Sequence, residues 1–237
     1  MKRPIAWILV LELAVAAVIS CGKPDEAGRN SSQRAAVKKV DAAGLPPSAA
    51  YLPLLDDRRI RVAAPKKWFV SPRSKQYVCQ FTYSRSPQVP LPRIRLKVER
   101  LEGDDWAAVD SDDPAHARAL AAKVAERLKG KSLVEPVLPM VIGPYACARY
   151  VDAAVFPMRL SGGAVKKVKA HRQVVCLVHD GRLYRVELHV SPGRILDFRD
   201  VAYAVVARLQ FVEPEEEPES AAPSDGDAGQ AEGGGAD

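Results

Sequence analysis

Val174-Val175-Cys176-Leu177-Val178-His179-Asp180-Gly181-Arg182-Leu183-Tyr184-Arg185-Val186-Glu187-Leu188-His189-Val190 is the stretch on which the reading of the fold turns. Two apolar, β-branched runs flank an Asp-Gly pair. Asp180-Gly181 supplies the positive φ that a type I′ turn requires, so the segment predicts a tight antiparallel hairpin. A two-residue turn also sets the register. His179 faces Arg182, Leu177 faces Tyr184 and Val175 faces Val186, which leaves that face of the hairpin apolar behind its polar turn. Further back, the same register pairs His171 with Val190 and Arg172 with His189, so His171 and His189 fall on opposite faces of the sheet.

Working outward, strand signals outnumber helix signals. Arg59 to Ala64 runs into Pro65, Tyr77 to Tyr83 follows, and Arg93 to Arg100 alternates most plainly, with Ile94, Leu96 and Val98 against Arg93, Arg95 and Lys97. Leu133 to Ile142, interrupted by Pro136 and Pro139, predicts an edge strand, and Tyr145 to Phe156 predicts another strand. Gly162-Gly163 is a lone turn signal. One helix is predicted from Asp113 as N-cap and Pro114 at the first helical position, with Ala117, Leu120, Ala121, Val124 and Leu128 on one stripe, to Gly130 as stop. A second spans about Gly193 to Leu209, burying Ile195, Phe198, Ala202, Val205 and Leu209, with Phe211 beginning a short extension. The expected class is α+β: an antiparallel sheet of about six strands packed with two helices in an α/β/α sandwich.

Composition divides the chain. Residues 21–52 are rich in Gly, Pro, Ser and Ala and read as a flexible tether with a reach of roughly 30 Å. Residues 53–212 form the expected domain, burying roughly 70% of its unfolded surface. Residues 213–237 carry nine acidic residues and no Lys or Arg, so the net +6 of the chain splits into +15 for residues 1–212 and −9 for an acidic tail that predicts disorder. Cys79, Cys147 and Cys176 each sit in an apolar run and read as small buried hydrophobes. At most one disulfide can form among the three.

Lys2 and Arg3, the apolar run Ile5 to Ile19 broken only by Glu12, and Val18-Ile19-Ser20-Cys21 resemble the export signal of bacterial lipoproteins over residues 1–22. An uncleaved anchor and an ordinary secretory signal share the charged start and apolar run. The lipoprotein resemblance implies a signal peptide over residues 1–20 and a lipid on Cys21. Gly22, where Asp would retain the protein in the inner membrane, implies the outer membrane facing the periplasm. Separately, Val62-Ala63-Ala64-Pro65-Lys66-Lys67-Trp68, then Asp180-Gly181-Arg182-Leu183-Tyr184, then Leu209-Gln210-Phe211 resemble the PsbP, Mog and DcrB superfamily over roughly residues 56–212. Many members have Gly where this chain has Lys67. That resemblance implies an antiparallel sheet sandwiched by helices and used for binding rather than catalysis.

No G-x-S-x-G, H-E-x-x-H, Walker A or dinucleotide motif is present, so an enzyme is not expected and no cofactor is implied. Asp104-Asp105 and the run Asp110, Asp112, Asp113 have spacing unlike an EF-hand loop and read as loop and helix-start chemistry, and no metal site is expected. His116 reads as a solvated helix residue. The basic domain favours anionic surfaces. Arg93, Arg95, Lys97, Lys166, Lys167, Lys169 and Arg172 are the candidate binding residues, on a basic sheet edge or face that docks an anionic envelope component or an acidic protein. Nucleic acid is not an expected partner of an exported chain. The alternative is an envelope assembly or stability factor that takes one protein partner in an apolar groove.

Overall fold

The hairpin sits at the centre of an eight-stranded sheet. The computed structural model describes residues 36–71, 73–84, 91–102, 106, 108–159 and 163–213. The expected signal, Cys21, Asp104-Asp105, Gly162 and the acidic tail beyond Glu213 lie outside the described residues.

The strands are β1 (Lys38–Val40), β2 (Ser48–Tyr51), β3 (Ile60–Arg61), β4 (Ala63–Pro65), β5 (Phe69–Ser71), β6 (Cys79–Thr82), β7 (Arg93–Arg100), β8 (Leu133–Ile142), β9 (Tyr145–Arg159), β10 (Val165–His179), β11 (Arg182–Val190) and β12 (Gln210–Phe211). The main sheet has the order β1-β8-β9-β10-β11-β7-β6-β5. All its neighbours are antiparallel except β1 and β8. The register of β10 with β11 is the one the Asp-Gly turn predicts, from His179 opposite Arg182 back to His171 opposite Val190. Val174 to Val178 are buried on both faces, as a run without alternation requires of a central strand.

Helix α1 (Ala117–Arg127) and helix α2 (Ile195–Ala207) cover opposite faces. Asp113 accepts the Ala115 N–H at 2.8 Å, and Pro114–His116 form a 3-10 turn that leads into α1. Ala117, Leu120, Ala121 and Val124 are buried; the latter three pack on Ala148, Tyr150, Val174 and Cys176. On the other face α2 lies with β3 and β4, over Val175, Leu177, Tyr184, Val186 and Leu188. Glu135 joins Arg149 of β9 to Arg199 of α2, whose Nε donates to Gln173 at 2.9 Å, tying that helix to three strands. Cys79, Cys147 and Cys176 are buried free thiols, pushed up out of their ordinary range by burial, and Cys147 and Cys176 face opposite cores.

Three expectations change. The sheet has eight strands rather than about six, because residues 38–40 pair with Met140 to Ile142, and β5 adds to β6. For the same reason the tether does not extend to residue 52: β1 and β2 belong to the folded unit. The first predicted strand divides into β3, paired with β12, and β4, paired with β2. Among the proline-bearing residues of β8, Leu133 to Pro139 remain at the edge, with register shifts, and only its last three are covered by β1.

Lys67 has φ +68° in a turn closed by Trp68 N–H to Pro65 O at 3.1 Å. A side chain there is strained in the left-handed region, so Lys67→Gly is expected to stabilise the fold by about 1 kcal/mol, read as a rise in Tm of a few degrees. A Tm at or below that of the parent chain refutes this.

Candidate functional site

Helix α1 covers β8, β9 and the turn end of β10, and among the described residues no helix covers the rest of its sheet face. Strand alternation and register put Arg93, Arg95 and Lys97 of β7, Glu187 and His189 of β11, and Arg172 and Asp152 of β10 and β9 on that open region. Their partners are unequally shared. Arg172 Nε donates to Asp152 at 2.9 Å, and its fork also approaches Glu187 at 3.8 Å. Lys97 Nζ lies 3.0 Å from Glu187. Further along, Glu99 serves Arg127 at 2.6 Å and Arg185 at 3.4 Å.

Glu187 is almost wholly buried, and burial alone would raise its pKa. The His189 hydrogen bond and the charges of Lys97 and Arg172 outweigh this and hold it down at about 2. Burial pulls His189 down to about 4 against the opposing effect of Glu187, so the imidazole is neutral at neutral pH. The bond to Asp152 raises Arg172 above its ordinary value. Chemically this is a half-buried cationic platform whose central carboxylate stays ionised.

The seven candidate basic residues do not form one surface. Arg93, Arg95, Lys97 and Arg172 do come together. Lys166, Lys167 and Lys169 lie on the part of β10 that pairs with β9 alone, a two-stranded ribbon projecting past β11. Alternation places Lys166 on the side of Arg172 and the other two on the opposite side. The sequence reading missed Glu187 and His189 as the centre of the platform. The signal was present, since the hairpin register already set His189 opposite Arg172.

A second cluster lies at the hairpin turn. His179 stacks on Phe211 with centroids 4.0 Å apart, beside a cleft of about 500 Å³ bounded by Arg61, Asp112, Tyr145 and His179. Asp110, Asp112 and His179 offer ligand atoms within 4.8 Å of one another. His179 Nδ1 lies 3.0 Å from Asp112, and Asp110 accepts the Asp112 N–H at 3.1 Å, so loop closure sets the two carboxylates beside the imidazole. Contrary to expectation, His116 is a half-buried tie rather than a solvated residue: its Nδ1 accepts the Asp110 N–H at 3.1 Å.

No family model and no curated protein matches the sequence. The solved structures similar to it include the following. A protein of Bacteroides thetaiotaomicron has TM-score 0.43 and 14% identity, over 72% of this chain and 51% of that one, so this chain spans about half its length. LpqN, involved in cell envelope biogenesis of Mycobacterium tuberculosis, has TM-score 0.41 and 16% identity, over 65% of this chain and 83% of that one. Cyanobacterial PsbP (CyanoP) from Synechocystis sp. PCC 6803 has TM-score 0.36 and 12% identity, over 68% of this chain and 94% of that one.

Proposed function

We propose that the protein is a non-catalytic binding module of the cell envelope, held to a membrane through lipidated Cys21, whose open sheet face docks an anionic envelope component or an acidic protein. The observation that carries this reading is the gathering of Arg93, Arg95, Lys97 and Arg172 on sheet surface that no helix among the described residues covers, with Glu187 and Asp152 as the carboxylates set among them. Cations held by strands rather than by a loop keep a fixed spacing for a ligand. The membrane anchor rests on the signal-like residues 1–22.

The test uses the chain from residue 21 onward carrying Cys21→Ser, which lacks both the signal-like apolar run and the lipid anchor, and measures co-sedimentation with isolated envelope. Binding at low salt and release at high salt is the expected result, because attraction between exposed charges is screened over about 8 Å at physiological ionic strength. Capture that survives high salt refutes charge docking and favours the assembly-factor reading. One observation supports that alternative: Trp68, Tyr83 and Phe198 meet edge to face with centroids 5.7 to 6.2 Å apart, and Tyr83 is exposed. Salt-insensitive capture lost on Trp68→Ala would identify that cluster as the partner surface.

A further inference from the structure

At the turn end of the hairpin, three metal-ligating side chains converge from distant parts of the chain. Asp113 is engaged as the cap of the turn that leads into α1, but its neighbours Asp110 and Asp112 meet His179. Asp110 Oδ1 lies 3.9 Å and Asp112 Oδ2 3.0 Å from His179 Nδ1. Ser111, wholly buried between the two carboxylates, fastens them to the sheet. Its N–H donates to Val178 O and its Oγ accepts the Val178 N–H, both at 2.8 Å, while its carbonyl accepts the Ala146 N–H at 2.7 Å. Stacking on Phe211 holds the plane of the imidazole. The three donors are therefore placed by β9, β10 and β12 rather than by a free loop.

His179 Nδ1 is shut from solvent and has no hydrogen-bond partner, although the Asp112 oxygen is only 3.0 Å away. The carboxylate is near enough for a hydrogen bond and out of line for one. Two ligands of a shared ion stand in that relation. Donors bonded at about 2.1 Å and at right angles are about 3.0 Å apart, with the oxygen about 45° off the nitrogen lone pair. The Asp110 oxygen is 3.9 Å from the same nitrogen and belongs to a half-exposed side chain. Its distance falls between the right-angle spacing and the about 4.2 Å that separates donors on opposite sides of an ion.

We propose that Asp110, Asp112 and His179 bind a divalent first-row transition-metal ion such as Zn²⁺. The site goes beyond the functional reading above and is independent of it, since none of the three residues belongs to the basic platform. One imidazole with two carboxylates suits such an ion, whereas Ca²⁺ and Mg²⁺ are taken by sets of oxygen donors. Three protein donors also leave a coordination position open. Asp112 and His179 line the cleft of about 500 Å³, with Arg61 and Glu213 also on its walls, so an ion held there is reachable by solvent or by a small anionic ligand.

The chain from residue 21 onward carrying Cys21→Ser, without a histidine tag, is titrated by calorimetry with Zn²⁺ and separately with Ca²⁺, and its Tm is followed with each. The titrations are repeated with Asp110→Asn, Asp112→Asn, His179→Gln and, as a control, His171→Gln, after each variant is shown to melt cooperatively. Stoichiometric Zn²⁺ binding is expected, with a rise in Tm on saturation. Each of the three site variants is expected to weaken it at least about tenfold, and His171→Gln to change it less than about twofold. Ca²⁺ is expected to bind at least about tenfold more weakly than Zn²⁺. The carboxylates beyond Glu213 supply oxygen donors alone, so any ion they take does not respond to His179→Gln.

Absence of stoichiometric Zn²⁺ binding, binding that His179→Gln leaves unchanged, or Ca²⁺ bound as tightly as Zn²⁺ overturns the site. If His179→Gln does not melt cooperatively, Asp110→Asn and Asp112→Asn, both on half-exposed side chains, decide it. Zn²⁺ affinity unchanged in both of them overturns the site.

Discussion

Val124→Asp is expected to abolish cooperative folding. Val124 is 3% exposed on α1, in the cluster of Leu120, Ala121, Val137, Ala148 and Tyr150. The substitution removes roughly 1.5–3 kcal/mol of apolar burial. It also places a carboxylate among the apolar side chains of that cluster, at a cost of several kcal/mol if it stays charged. Together these approach the whole stability of about 5–15 kcal/mol expected of a domain. Val124→Ala, which leaves only a small cavity, is expected to melt cooperatively with a loss of roughly 1–3 kcal/mol. Circular dichroism melts of the two variants decide it, and a cooperative melt of the aspartate variant near the parent Tm shows that this face of α1 is not part of the core.

Acid lability is the second large effect, and it centres on Glu187 and His189. His189 titrates from 6.5 down to about 4 on folding, so between those values the unfolded chain binds the proton and the native chain does not. Stability present above pH 6.5 is therefore lost as pH falls toward 4. Glu187 is held at about 2 against 4.5, so its contribution is present above 4.5 and is lost as pH falls toward 2. Each effect is on the order of 3 kcal/mol, and both have the same sign. The groups facing the pair are Lys97, Arg172, Arg93 and Arg95, all cationic, with Asp152 engaged by Arg172.

Tm is expected to fall progressively from pH 6.5 downward, and His189→Gln is expected to flatten the decline between 6.5 and 4. Glu187→Gln at neutral pH leaves Lys97 among the three arginines without its carboxylate, and a loss of about 3–5 kcal/mol is expected. A flat Tm across pH 4 to 6.5 in the parent chain would refute the buried, neutral His189.

Several elements were legible before any coordinates because their causes are local. Asp180-Gly181 dictates a turn type, and the turn dictates the register of β10 and β11, including Arg172 opposite His189. Asp113 and Pro114 mark a helix start for the same kind of reason: one side chain and one fixed φ satisfy or remove nearby N–H donors. The alternation of β7 put Arg93, Arg95 and Lys97 on one face. Its bounds, Arg93–Arg100, are those the alternation predicts.

Tertiary structure decided what depends on pairing across long sequence distances. Lys38–Val40 lacks a strong apolar pattern and becomes a strand only because β8 offers an unpaired edge. His179 reaches Asp112 across 67 residues, which no spacing rule connects. Above all, composition shows a basic domain but not the allocation of its carboxylates. Backbone register puts Glu187 within reach of Lys97 and His189, gives Asp152 to Arg172, and leaves Arg93 and Arg95 on aromatic and amide supports. Local chemistry is written in neighbouring residues, whereas charge pairing falls off with distances that exist only once the sheet is assembled.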